Sequence, residues 1–269
     1  MTANILEQFK IGNYEFQDPD HRKQYLDMYR KLEVTAKGRT FEQLNDDVNF
    51  LTLMSEFLLL IVSLYESEQN WNHDRLLQWI IDELEVRPDE AERVLRVNFY
   101  FISDKIIGRN NFIKFDAPEL RMLPPQFSPL GIVKIRGCKN FETLSSFLKI
   151  KDDCVLESLP SLRRINSKLI SGRDMIVHSC GALGYIAGEL HIKGDIQLIN
   201  CPQLERITAS LYVYKDFKIE NCPKLTDISS INVNIKGTLI IKGPVTQQLK
   251  DRVEELKKLG KIGDVQYDS

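Results

Sequence analysis

No apolar run in this 269-residue sequence approaches the roughly 20 residues that a membrane-spanning helix needs. The longest, Phe57–Tyr65, follows Glu56 and is broken by Ser63, which describes a buried helix. No charged segment followed by an apolar one opens the chain, so no secretory signal is expected. The five cysteines, Cys138, Cys154, Cys180, Cys201 and Cys222, contain no CxxC pair, which speaks against a cysteine zinc site. Their odd number points to reduced thiols and a cytoplasmic location. Gly (14) and Pro (10) are too few for a disordered or fibrous chain. With 36 basic and 38 acidic residues there is no cationic excess, so neither nucleic acid nor a membrane is an expected partner. No phosphate loop, GxGxxG, HExxH or Ser-centred elbow occurs, and the four histidines (His21, His73, His178, His191) are scattered. No catalytic residue, metal or cofactor is therefore expected, and the chain reads as non-enzymatic.

Charge is unevenly divided. Residues 1–110 carry 13 basic and 20 acidic side chains, whereas residues 111–269 carry 23 and 18. The first part has helical periodicity. Tyr25, Met28, Tyr29 and Leu32 share a face of a helix over Asp18–Ala36. Leu44, Val48, Leu51, Phe57, Leu58, Leu60, Ile61 and Leu64 surround a helix over Phe41–Tyr65, predicted to be the centre of a small bundle. A third helix over Asn72–Val86 carries Leu76, Leu77, Ile80, Ile81 and Leu84 inward. A fourth starts at Pro88 and continues toward Phe101, with Asp89 and Glu90 in its first turn. The last two could form a DNA-reading pair, but Asp89, Glu90 and Glu92 would repel phosphate, so an ordinary helical hairpin is expected.

The second part repeats every 21 residues. Phe217, Ile219, Cys222, Leu225 and Ile228 match Ile196, Leu198, Cys201, Leu204 and Ile207 one row earlier. Before these stand Met175, Val177, Cys180, Leu183 and Ile186, then Cys154, Leu156, Leu159, Leu162 and Ile165, then Val133, Ile135, Cys138, Phe141 and Leu144. Outward extrapolation reaches Ala117, in a row that reads one residue short, and Gly243, preceded by Ile240. Each row alternates as a short strand does, and no single row can bury its own apolar side. Stacked rows share a core and form a parallel sheet, with neighbours about 4.8 Å apart. A second apolar pair (Leu190/Ile192, Leu211/Val213) predicts another short strand per turn on a different side.

The pattern Φ-x-Φ-x-x-Cys-x-x-Leu-x-x-Ile resembles the leucine-rich repeat in its cysteine-column variant. The segment Leu190–Leu204 is similar to the short leucine-rich repeats of bacterial and phage proteins. The resemblance covers residues 111–245. It implies a solenoid that presents a strand face to a protein partner.

Several columns invite a chemical reading. The cysteine column is read as small buried residues whose S–H groups bond backbone carbonyls. Asp153, Asp174, Asp195 and Asp216 form a second column; turn chemistry, with each side chain bonding the backbone two residues on, is favoured over a calcium ladder. The outward columns are Lys134, Val155, Ile176, Gln197, Lys218 and Arg136, Glu157, His178, Ile199, Glu220. Val155, Ile176 and Ile199 make an apolar centre rimmed by charge, which suits protein binding. His178 beside Glu157 is read as a surface ion pair. Arg121, Arg163, Arg164 and Arg206 gather on the following turn, where an acidic partner or the acidic helices would fit.

Beyond Gly243, Thr246 is a candidate N-cap for a helix with Leu249, Val253, Leu256 and Leu259 on one face, ended by Gly260, and Ile262–Tyr267 is a candidate closing strand. The expected fold is α+β: an N-terminal helical bundle (residues 1–110) capping a leucine-rich-repeat-like parallel β solenoid (residues 111–245), closed by a C-terminal helical cap (residues 246–269). The expected function is non-enzymatic protein binding through the ten outward residues named above. The alternative is a bacterial or phage effector whose helical domain carries the activity while the repeats select the target.

Overall fold

The computed structural model describes residues 19–40, 43–44, 47–69, 71–103, 105–228 and 232–268. The expected start of the second helix at Phe41, and the side chains of Leu58 and Leu64, lie outside them. The chain divides into two compact units, residues 1–70 and residues 71–269.

In the first unit, α1 (Pro19–Ala36) packs against α2 (Val48–Gln69). Leu32 and Ala36 meet Leu44, Phe50, Met54 and Phe57 in a small core, with the Tyr25 ring tilted against Phe57 at a centroid distance of 5.5 Å. The expectation that α2 is the centre of a bundle needs correction at its first turns. Val48 is 74 % and Leu51 43 % exposed, so among the described residues the helix buries one face.

The second unit begins with α3 (His73–Leu84) and α4 (Pro88–Asn98). Asn72 caps α3 by accepting from the Arg75 amide, and Pro88 opens α4. The chain leaves the helix at Asn98, earlier than expected: Phe99–Ile102 (β1) pairs antiparallel with Lys105–Gly108 (β2). Four successive aromatic and β-branched residues favour a strand over another helical turn. Both helices lie in one continuous core with the repeats. Trp79 is the hub of that contact. It packs edge-on against Trp71 and Phe99, lies 6.0 Å from Phe112, and donates its indole N–H to the Met122 carbonyl at 3.1 Å.

From β2 to residue 242 the chain winds through about six turns of a parallel β solenoid. Strands line three sides. The first is built from β3 (Phe112–Phe115), β5 (Val133–Arg136), β8 (Cys154–Glu157), β10 (Met175–His178), β12 (Ile196–Ile199), β15 (Phe217–Glu220) and the end of β17 (Val233–Lys242). The second carries the expected additional strand: β2, β4 (Phe127–Pro129), β7 (Phe147–Ile150), the end of β9 (Arg164–Ser171), the end of β11 (Tyr185–Ile192), β14 (Ser210–Val213) and the start of β17. The third side was not foreseen. It holds the short β6 (Thr143–Leu144), the starts of β9 and β11, β13 (Arg206–Ile207) and β16 (Asp227–Ile228).

Two details of the outer rows differ from the sequence reading. Phe112 pairs with Val133, so the first turn keeps the 21-residue register with no residue missing. Ile113 and Phe115 therefore point outward, and Lys114 takes the inward column otherwise held by Ile135, Leu156, Val177 and Leu198. Burial pulls the Lys114 ammonium below its usual pKa, opposed by the charges of Glu85 and Glu119. At the far end Phe217 pairs with Leu239, a step of 22, and the preceding strands Leu211 and Val233 share that step. One residue is thus inserted between Ile228 and Val233, Ile241 rather than Ile240 faces inward, and Gly243 leaves the cysteine column.

Gly243 instead ends a column of left-handed residues: Asp116, Gly137, Ser158, Ser179, Asn200, Asn221 and Gly243, with φ between 50° and 90°. Each sits where a strand of the first side turns its corner. Gly, Asn and Asp are the residues that adopt this conformation most readily, which explains why Gly137 occupies the column of Asn200 and Asn221. Asn221 also donates to the Asn200 side-chain carbonyl at 2.9 Å, adding a rung to the ladder. The cysteine column is buried as expected, and Cys180 donates toward the His178 carbonyl at 3.7 Å, Cys201 toward that of Ile199 and Cys222 toward that of Glu220, both at 3.6 Å.

The C-terminal cap forms as expected. Thr246 accepts from the Leu249 amide at 3.2 Å at the start of α5 (Gln247–Lys258), which buries Leu249, Val253 and Leu256. Leu259 is 61 % exposed and does not join that face. Gly260 turns at φ 68°, and β18 (Ile262–Asp268) adds to β17 in parallel.

Candidate functional site

The ten residues singled out from the sequence lie together on the outer surface of the first side. The register places Lys134, Val155, Ile176, Gln197 and Lys218 in one column across five adjacent strands. Arg136, Glu157, His178, Ile199 and Glu220 form the second. The pleat puts the intervening residues inward, so Leu156, Val177 and Leu198 are buried while their neighbours are half-buried at the surface. The surface is therefore rigid: each exposed residue is fixed by buried neighbours on both sides and by backbone bonds above and below.

Sequence reasoning missed part of this surface. Ile113 (45 % exposed) and Phe115 (47 %) extend the two columns by one turn, beneath Lys134 and Arg136. They were overlooked because the first row was read one residue short; assuming an unbroken register would have found them. Ile240, half-buried beside Lys218, extends the other end.

Charges on this side are mostly paired. Lys134 lies 3.6 Å from Glu157, Lys218 2.5 Å from Glu220 and Lys242 2.8 Å from Asp268. The hydrogen bond from Lys218 holds the Glu220 carboxyl below its usual pKa. Arg136 differs: its guanidinium sits over the Phe115 ring, 4.7 Å from the centroid. His178 stands beside Glu157 in register, but the carboxylate's ion pair is with Lys134, and the ring nitrogen Nδ1 lies 3.5 Å from the Ser179 hydroxyl. The expected His178–Glu157 ion pair is thus replaced by Lys134–Glu157.

The aspartate column stands at the corner leading into this side, and its chemistry differs from the expected turn. Asp153 accepts the amide of Asp174, Asp174 that of Asp195, and Asp195 that of Asp216, at 2.8–3.1 Å. The bonds run to the next turn, 21 residues on, rather than two residues along the chain. Among the described residues no group of three His, Cys, Asp or Glu is arranged to hold a metal ion.

Of the arginine cluster on the next corner, Arg121 has a defined role. The carboxylate of Glu83, in α3 and 5 % exposed, accepts from its Nε at 2.9 Å, from its backbone amide, and from the Met122 amide at 3.3 Å. One acidic side chain thus satisfies three donors of the first turn and ties the helical hairpin to the solenoid. Among the described residues no helix is long and apolar enough to cross a membrane.

Comparison with protein-family models, with curated proteins and with solved structures finds no match.

Proposed function

We propose that this protein is a non-enzymatic binding module that captures a protein partner on the first side of its solenoid. The observation that carries this reading is the apolar centre of Val155, Ile176 and Ile199 on three successive strands, rimmed by polar and charged neighbours, with Ile113 and Phe115 exposed beyond the turn of Lys134 and Arg136. A solvated strand face needs no such centre, whereas interface centres are depleted in charge and enriched in apolar and aromatic groups. Rigid display lowers the entropy cost of association, because the surface is ordered before the partner arrives. The likeness to leucine-rich repeats, which bind proteins on a strand face, supports the same reading. Five buried, unpaired cysteines suit a reducing, cytoplasmic setting.

The test is a capture experiment from the native host with the full chain. Ile176→Asp combined with Ile199→Asp should lose the partner while circular dichroism stays unchanged. Lys149→Glu combined with Tyr212→Ala, on the second side, should retain it. An unchanged partner set with the isoleucine pair replaced would contradict the assignment.

A further inference from the structure

We propose that the cleft between α4 and the open edge of β3 takes an extended segment of a protein partner as an added strand, with one apolar side chain of that segment in the cavity beside the edge. The site is separate from the strand face and does not rest on it. The first support is the backbone. Phe112 and Asp116 donate their amides to the next turn, at the Ile132 and Arg136 carbonyls, both at 2.8 Å. Peptide groups alternate in direction along a strand, so those of Ile113 and Phe115 point the opposite way. Among the described residues β3 pairs with β5 alone, and no group bonds the outer edge at Ile113 or Phe115. An extended chain is the occupant whose own donors and acceptors alternate to match, which is how a strand adds to a sheet edge.

The second support is the order of the rungs. The solenoid opens on its second side, where Ile106 of β2 pairs with Phe127 of β4 and β1 pairs with β2 in turn. The first side starts only at β3, because the residues one repeat before Phe112 begin with Ala91 and belong to α4. A helix bonds within itself, so α4 lies beside this edge without satisfying it. The edge is also unguarded. Soluble proteins protect such edges with charge or proline. At the opposite end β18 reads Ile-Gly-Asp-Val-Gln-Tyr-Asp, with Asp264 and Asp268, whereas β3 reads Phe-Ile-Lys-Phe.

The third support is the cavity. A space of about 160 Å³ lies against this edge, lined by Leu84, Val94, Phe99, Phe112, Ile113 and Phe127. An apolar cavity of roughly 150 Å³ accommodates a benzene-sized group. The rungs of the first side are parallel. In a strand added the same way, the residue beside Phe112 shares its inward direction and faces the cavity. The partner segment is therefore apolar at that residue, with phenylalanine or leucine filling the space.

The chain's own first-side sequence meets this description, so the probe is a fluorescein-labelled peptide copying residues 215–221, Lys-Asp-Phe-Lys-Ile-Glu-Asn, read by anisotropy against the full chain. Inward residues of each rung donate their amides to the following turn, so the Phe and Ile amides of the peptide face β3 and those of its second Lys and Glu face away. N-methylation of Phe and Ile should weaken binding about tenfold or more, whereas N-methylation of the second Lys and Glu should not. Ile113→Pro deletes an amide that pairs with no described residue, at an edge where proline is tolerated, and should also weaken the unmodified peptide about tenfold. The methylated pair uses the unaltered chain, so the test stands whatever Ile113→Pro does to folding. Ile176→Asp, on the strand face, should leave peptide binding unchanged. Equal binding of the two methylated peptides would overturn strand addition, as would loss of binding on Ile176→Asp with retention on Ile113→Pro. No binding of the unmodified peptide at millimolar concentration would overturn the cleft as a peptide site. A concentration-dependent dimer of the chain that Ile113→Pro abolishes would make a second copy the occupant and overturn a separate partner.

Discussion

The Asp174 carboxylate accepts the backbone N–H of Asp195 at 2.8 Å, across one full turn of the solenoid. The same bond joins Asp153 to Asp174 and Asp195 to Asp216, and Asp216 closes the series on the Thr238 amide. At this corner the chain bends between sides, and the carboxylates continue the inter-turn bonding with side-chain acceptors. The aspartates are thus part of the ladder that holds the candidate binding face in register.

Asp195→Ala should therefore destabilise the fold by about 2 kcal/mol, the range for a charge-assisted bond whose loss leaves an amide unpaired. Asp195→Asn keeps a carbonyl acceptor and should recover more than half of the loss. Urea denaturation of the three proteins measures this. Equal losses for Ala and Asn would mean that the bond contributes little.

Glu83 is the polar counterpart of the Trp79 contact between the helical hairpin and the first turn. Glu83→Ala removes one acceptor and strands the Arg121 and Met122 amides, at a cost of about 3 kcal/mol. Hydrogen exchange should rise in residues 73–98 while the turns from Cys154 onward stay protected. Uniformly raised exchange over the whole unit would contradict this local role.

The Cys154 and Cys180 thiols should be inert in the native state. Burial pushes Cys154 up to about 12, and Cys180 to about 11, from an ordinary 9.0. A thiol with a raised folded pKa is protonated in the folded chain after it has ionised in the unfolded one. Its contribution is present below pH 9 and is lost as pH rises from 9 toward 11–12. Iodoacetamide at pH 8 should label neither cysteine without denaturant, and stability should fall between pH 9 and 11. Rapid native labelling of Cys154 or Cys180 would show that the solenoid interior is open to solvent.

The sequence made the fold legible where one physical requirement repeated. An apolar residue every second position, returning 21 residues later, has no reason to recur unless turns share a core, and Val133 through Ile228 follow that rule. The candidate face was legible for the same reason, since outward positions are the complement of inward ones. The rule failed where another term won. Lys114 took an inward position next to Glu85 and Glu119, which disguised the first turn and hid Ile113 and Phe115. A single inserted residue before Val233 moved Ile240 from inside to outside. The Asp column defied local reasoning because its partners are distant in sequence, and although N-terminal helices were expected to cap the solenoid, helical periodicity alone did not single out Trp79 as the contact.

Register is the property on which the account stands, and two internal deletions test it most directly. Removing residues 174–194 takes out one whole turn and joins Arg173 to Asp195, so every column realigns. Removing residues 174–193 leaves the columns one residue out of step and turns the inward side chains of the later turns toward solvent. Thermal unfolding followed by circular dichroism should show a cooperative transition and retained strand signal for the 21-residue deletion, and loss of both for the 20-residue deletion. Equal behaviour of the two proteins, folded or unfolded, would contradict the stacking of equivalent residues.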